Sequence, residues 1–251
     1  MTTGTPTYSP TKLSRSYKVI WGVAALGTSL ISGTYGALLT IFYQDYLGLG
    51  AGWIATASVI YAIWNAINDP LFGYITDSSR LKGGRRIPFM RFTAPFLALT
   101  FILVWLAPQS WNERGLFFWM LGTMLLYDTC YTIIGLVYSA LLPEVSESDA
   151  ERNGLQISAS LFGLLGMILG FLIPDFFRPK TGSDPSFLPL QISMGVIGVF
   201  GAGMILMTSR MEARGGVNSA DIYYRRNLWL LLFGILHAYL LWMGEILYPY
   251  A

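Results

Sequence analysis

The residues that could do chemistry in this chain are few, and most gather in one stretch: Asn65-Ala-Ile-Asn68-Asp69-Pro70-Leu-Phe-Gly73-Tyr-Ile-Thr-Asp77. Asn65 and Asp69 are four apart, which puts an amide oxygen and a carboxylate on one helical face. Pro70 lacks an amide hydrogen and crowds the carbonyl of Ala66, so a backbone oxygen would be loosened beside them. Together these groups suit a hard cation such as sodium, centred on Asp69, or a proton. The plainer reading is an acid near a helix end, solvated or paired with a structural arginine. Asp128 is the second candidate. It falls near the middle of an apolar run, where an acid costs about 2.5–3.5 kcal/mol on insertion scales. There it could be a second cation ligand, a substrate contact, or one half of a structural pair. A basic hinge, Arg80-Leu-Lys82-Gly-Gly-Arg85-Arg86-Ile-Pro88, follows the first motif. Gly73, Asp77, Arg85 and Arg86 suit a tight reversal closed by ion pairs, a cytoplasmic gate.

The elements that must position these residues are membrane spans. The chain has 251 residues, 54% hydrophobic and only 12% charged, where a soluble domain carries about a quarter charged residues. Runs long enough to cross a bilayer lie near 18–44, 52–76, 89–107, 116–142, 155–174, 189–208 and 227–249. The expected fold is therefore an all-α polytopic membrane protein of about seven transmembrane helices. A polar tail, 1–16, precedes six helices over 17–208, then a loop over 209–226 and a last helix in 227–251. A cytoplasmic N-terminus puts every lysine and arginine except Arg114, Arg178 and Lys180 on the cytoplasmic side, as the positive-inside rule favours. The C-terminus then falls on the outer face. Cys130 stands alone and His237 is the one histidine, so no intrachain disulfide or Cys/His metal cluster is expected. No phosphate-binding Gly-Lys loop, zinc motif or nucleophile elbow appears, which gives ATP-driven transport and soluble-type hydrolysis no support.

Specific motifs narrow the class. Trp64-Asn-Ala-Ile-Asn-Asp-Pro-Leu-Phe-Gly73, Gly84-Arg-Arg-Ile-Pro-Phe89, and Ala140-Leu-Leu-Pro143-Glu144 with Asp149 and Glu151-Arg152 beyond it resemble the glycoside–pentoside–hexuronide:cation symporters. This is the melibiose-permease branch of the major facilitator superfamily, and the similarity covers about residues 12–200. The resemblance implies a six-helix half built from two inverted three-helix repeats, with the second and fourth helices contributing to a cation site. It also marks departures. The family's sugar transporters carry acids where this chain has Asn65, Ser29 of Gly27-Thr-Ser29, and Gly135 of Tyr131-Thr-Ile-Ile-Gly135. Ser29, Tyr131 and Gly135 then line the implied substrate path without the carboxylates that would grip sugar hydroxyls, which argues against a melibiose-like substrate.

Beyond residue 200 the pattern changes. Leu231-Leu-Phe-Gly-Ile-Leu-His237-Ala-Tyr-Leu-Leu-Trp242-Met-Gly-Glu245-Ile-Leu is similar to a bacterial membrane family distantly related to membrane acyltransferases. The implied alternatives to a cation-coupled transporter half are a non-transporting membrane subunit and an acyl-transfer protein using His237 with Glu245. The expected coupling ion is sodium or a proton, with no other cofactor and no nucleic-acid partner. Expected partners are the lipid bilayer, a bacterial inner membrane, and a second copy or another membrane protein supplying a missing half.

Overall fold

The computed structural model describes residues 12–79, 86–146, 148–177 and 187–209, all within one compact unit, Met1–Glu212. Six long helices carry nearly all of them: α1 (Arg15–Thr40), α2 (Ala51–Ser78), α3 (Ile87–Trp105), α4 (Glu113–Val145), α5 (Asp149–Asp175) and α6 (Leu188–Ser209). Each of the first six apolar runs matches one helix. The expected seventh span, 227–249, lies outside the described residues, as do Arg85, His237 and Glu245.

Local chemistry sets several of the helix starts. Ser14 accepts from the Tyr17 amide at 3.2 Å at the head of α1, and Asn112 accepts from Gly115 at 2.9 Å at the head of α4, each satisfying an amide that the first turn leaves orphaned. Asp149 and Glu151 occupy the first turn of α5, where the helix dipole favours acids. Pro88 opens α3, the position at which a missing amide costs nothing. α1 continues into a π-helical turn, Ile41–Tyr46, and this wider turn brings Phe42 and Tyr43 into the core. Phe42 stacks edge-on to Trp105 at 5.3 Å, and the Tyr43 hydroxyl donates to the Val104 carbonyl at 2.7 Å. Gly48, with φ of 71°, then reverses the chain into α2.

The helices pack in the order α2, α4, α3, α6, α1, α5. The α1/α5 seam is the closest. A Cβ on Gly166 would lie 2.4 Å from the Leu26 carbonyl oxygen, and one on Gly170 would lie 2.7 Å from that of Leu30. Backbone therefore touches backbone, and the Thr34 hydroxyl donates across the seam to the Gly170 carbonyl at 3.0 Å. In a bilayer, where lipid is as apolar as leucine, such small-residue contact is what draws helices together.

Among the described residues five helical segments, Arg15–Tyr46, Ile87–Trp105, Glu113–Val145, Asp149–Asp175 and Leu188–Met207, are long and apolar enough to cross a membrane. α2 is long enough, at 28 residues, but Thr56, Ser58, Asn65, Asn68 and Asp69 set it apart from that group. Exposed rows such as Phe92, Phe96 and Leu99 on α3 and Ile157, Leu161 and Leu164 on α5 supply the apolar outer surface that a bundle in lipid requires.

Candidate functional site

α2 turns toward α4 a stripe, Tyr61, Asn65, Asn68, Phe72 and Thr76, whose spacing of three and four keeps one face inward, with Trp64 and Asp69 beside it. Polar bonds run along this seam. Tyr61 donates its hydroxyl hydrogen to Asp128 Oδ1 at 2.9 Å, and Asn68 Nδ2 donates to Asp128 Oδ2 at 3.0 Å. Asn65 Nδ2 donates to the Tyr61 hydroxyl at 3.4 Å, and Trp64 Nε1 donates to Thr129 Oγ1 at 3.2 Å. The Thr132 hydroxyl donates to Asp69 Oδ1 at 3.3 Å. The two carboxylates are thus placed differently: Asp128 is 3% exposed, whereas Asp69 lies on the open side of α2. Asn68 is 1% exposed, and its Oδ1 has no hydrogen-bond partner. The Tyr35 and Tyr127 hydroxyls are likewise buried without one. These two rings stack at 4.2 Å, and Tyr131 extends the stack at 5.9 Å from Tyr127.

Near one end of the seam Arg86 joins three helices. It stands just before α3, 3% exposed, with Nη2 3.0 Å from Asp77 Oδ1 at the end of α2 and Nη1 3.2 Å from Glu144 Oε1 at the end of α4. Nη1 also donates to the Ala140 carbonyl oxygen. Both terminal nitrogens of the guanidinium are engaged, spread over two carboxylates and a carbonyl. At the other end of the seam Trp53 Nε1 donates to Glu113 Oε2 at 2.9 Å.

The structure brings together some of the residues singled out in the sequence and separates others. Asp69, Asn65 and Asp128 all sit along the α2/α4 seam, but Asn65 and Asp69 bond to different partners. Of the gate residues, Asp77 and Arg86 form an ion pair, and Gly73 has open space where a Cβ would go. Gly135 is exposed and open in the same way. Ser29 is turned toward α5: a Cβ on Gly163 would lie 3.2 Å from its hydroxyl oxygen. That places it in the α1/α5 seam, away from Tyr131 and Gly135 on α4. Asn68, Tyr61 and Thr132 were missed as site residues. The spacing of Tyr61, Asn65, Asn68 and Phe72 shows in the sequence that they share one helical face, but not which neighbour that face meets.

The helical membrane bundle thus holds one carboxylate, Asp128, buried between its second and fourth helices, with another, Asp69, on the open side of the same seam. The family model described as MFS/sugar transport protein matches residues 20–221. The chain belongs to this family, in its glycoside–pentoside–hexuronide:cation symporter-like group, and it is an integral membrane protein of a transporter family. The symporter sll1374 of Synechocystis is 30% identical over 89% of this chain and 42% of its own length. The sodium-dependent lysophosphatidylcholine symporter 1 of Xenopus tropicalis is 27% identical over 68% of this chain and 33% of its own. The inner membrane symporter YicJ of Escherichia coli is 24% identical over 74% of this chain and 40% of its own. The chain thus spans less than half the length of these relatives. The family match also overlaps the first part of the 201–251 stretch that bears the second resemblance.

Proposed function

We propose that this chain is the transmembrane half of a cation-coupled symporter, with Asp69 and Asp128 binding the coupling ion, sodium or a proton. The observation that carries the reading is the α2/α4 seam, a row of polar bonds built around two carboxylates in a helix pair otherwise suited to lipid. Among the described residues no lysine or arginine bonds either acid. A buried carboxylate without a cationic side chain is costly, and a transported cation would supply the missing charge.

The proposed cytoplasmic gate is Arg86 with Asp77 and Glu144, joined by Gly73 and Arg85. Such a cluster holds three helix ends while the other face is open and must part when the bundle rocks. The packing order favours two repeats, α1 to α3 and α4 to α6, because α1 touches α5 and α6 just as α4 touches α2 and α3. The substrate is proposed to be a small organic solute, a glycoside or a lipid-like molecule, with Tyr131 and Gly135 on its path. The glycine at 135, in place of an acid, favours a substrate with fewer hydroxyls than a disaccharide. The proposed setting is a bacterial inner membrane with a cytoplasmic N-terminus, as the distribution of arginine and lysine supports. Alternating access needs two halves about a central site, so a second copy or a partner membrane protein is proposed to supply the other. The relatives are symporters, which lends no support to acyl transfer through His237.

Uptake of labelled glycosides and lysolipids into proteoliposomes, driven by a sodium or a proton gradient, tests the reading. Gradient-dependent uptake is expected, with a loss of at least about tenfold in Asp69→Asn, a typical scale for removing a group that orients a bound ion. Full uptake by Asp69→Asn would sink the assignment of the coupling site.

A further inference from the structure

We propose that the outer face of the α3/α6 pair holds one anionic glycerophospholipid, with its phosphate at Arg91 and an acyl chain in a notch floored by Gly203. The inference concerns the lipid-facing surface and does not rest on the symporter reading.

The register of the two helices comes first. Gln191 Nε2 donates to the Trp105 carbonyl at 3.1 Å. A Cβ on Gly198 would lie 3.1 Å from the Phe101 ring and 3.5 Å from the Ala98 carbonyl oxygen. Moving forward along α6 therefore moves backward along α3, and the helices run antiparallel. Both rise equally per residue, so the same register sets Gly203 about level with Pro95 and Met207 about level with Arg91. On the inner side α3 packs on α4 and α6 packs on α1, and α1 meets α4 where Trp21 stacks on Tyr138 at 4.5 Å. The exposed stripes of α3 and α6 therefore open outward together.

The surface they form has a shape. Arg91, Phe92 and Phe96 are exposed on α3, and the two rings meet at 4.9 Å. Phe200 and Met207 are exposed on α6, three residues before Gly203 and four after it, on the same side of the helix. Gly203 is itself exposed, and nothing lies within 4 Å of the position a Cβ would take. Gly198 on the same helix differs, because α3 fills the space in front of it. Gly203 thus makes no helix contact and lowers the surface between two bulky side chains, leaving a notch beside the Phe92 and Phe96 rings.

Charge selects the occupant. The apolar walls suit any lipid tail, but Arg91 stands at the head of the aromatic row, in the first turns of α3. From there a long cationic side chain reaches out of apolar surroundings to the headgroup level. A guanidinium carries five donors in a fork that fits phosphate oxygens, enough for more than one acceptor. The sequence is basic on the same side: Arg80, Lys82 and Arg85 precede α3, and Arg210 and Arg214 flank Glu212 after α6. Basic clusters beside membrane helices attract anionic lipid. A zwitterionic headgroup carries its own ammonium next to the phosphate and gains less from such a field.

The test is native mass spectrometry of the purified full chain, with phosphatidylglycerol and phosphatidylcholine of identical acyl chains offered in equal amounts. Wild type is expected to retain one phosphatidylglycerol in preference. Arg91→Gln should cut that preference by about fivefold, the scale of one basic group at an anionic surface. Gly203→Leu fills the notch where nothing crowds the new side chain, and should weaken phosphatidylglycerol retention with Arg91 still in place. Arg15→Gln, an exposed arginine at the head of α1, should leave the preference unchanged. Equal retention of both lipids by wild type overturns the proposal. So does an unchanged preference in Arg91→Gln, unchanged retention in Gly203→Leu, or a loss in Arg15→Gln as large as that in Arg91→Gln, which would mean a diffuse field and no site. Displacement of the lipid by excess inorganic phosphate would make this a free-anion site and also overturns it. Should Arg91→Gln fail to fold, Gly203→Leu decides. A protein that selects phosphatidylglycerol but drives no uptake fails the symporter reading alone.

Discussion

The α1/α5 and α2/α4 seams hold equivalent places, each joining an outermost helix to the rest of the bundle, yet they are built from opposite materials. In α1/α5, Gly166 and Gly170 let two backbones meet, the Thr34 and Ser158 hydroxyls donate to carbonyls across the seam, and Lys18 pairs with Glu151 near one end. In α2/α4 the contact is made by Tyr61, Asn68, Asp69, Asp128 and Thr132, side chains holding one another at 2.9 to 3.3 Å. The backbone packing around Gly166 and Gly170 offers an ion nothing to bind, so that part of the first seam keeps the same strength in sodium and in choline at equal ionic strength. The second depends on the charge of two carboxylates, and a cation bound there changes the seam itself. In a bundle that must rock, a fixed seam and an adjustable one are complementary parts.

The largest effect that separates them is expected at the Arg86 cluster, which closes one end of the polar side. Arg86→Leu leaves Asp77 and Glu144 facing each other without their shared cation. Breaking a buried pair of this kind costs about 3–5 kcal/mol, to be read as loss of folded protein in a detergent unfolding titration. A change under about 1 kcal/mol would mean that the cluster is solvated and does not lock the helix ends. The next largest is expected at Gly166→Ala, whose Cβ would press on the Leu26 carbonyl at 2.4 Å. Overpacking costs about 1–3 kcal/mol, and because the contact at Gly166 is with backbone and apolar atoms, the loss should be the same in sodium and in choline at equal ionic strength. Tyr61→Phe removes one donor from Asp128 and should cost about 1 kcal/mol. Here sodium should change the size of the loss, and an effect identical in both salts would erase the contrast between the seams.

Most of the fold was legible because lipid imposes a coarse rule: a helix that crosses it must be apolar for about twenty residues. The helices run past those apolar limits, as α4 does by continuing from Glu113 to Val145, since backbone hydrogen bonding persists into water where hydropathy no longer marks it. The site was legible only in part. Asp69 and Asp128 stood out as acids in apolar runs, and the hinge arginines stood out beside Asp77. Asn68 did not, although it is the residue that bonds Asp128, because spacing relates residues to each other and leaves open how the helix is rotated against α4. Ser29 shows the same limit. The sequence identified it as a place where an acid is absent, but its direction, toward Gly163 on α5, depends on a glycine more than a hundred residues away, a distance on the order that only tertiary packing spans.

The smallest effect, and the cleanest comparison, is expected at Gly135→Ala. It makes the same chemical change as Gly166→Ala, one added methyl in the middle of a long helix. Nothing lies within 4 Å of the position that Cβ would take, so overpacking contributes nothing. Alanine is favoured over glycine in a helix by about 0.8–1.0 kcal/mol, so the expected outcome is a small gain in stability where Gly166→Ala gives a loss. The same unfolding titration reads both variants, and opposite signs are the result required. A loss at Gly135 matching that at Gly166 would mean that α4 is covered on this side by something that needs the glycine surface, and the α4 face taken here as the substrate path would instead be a packed interface.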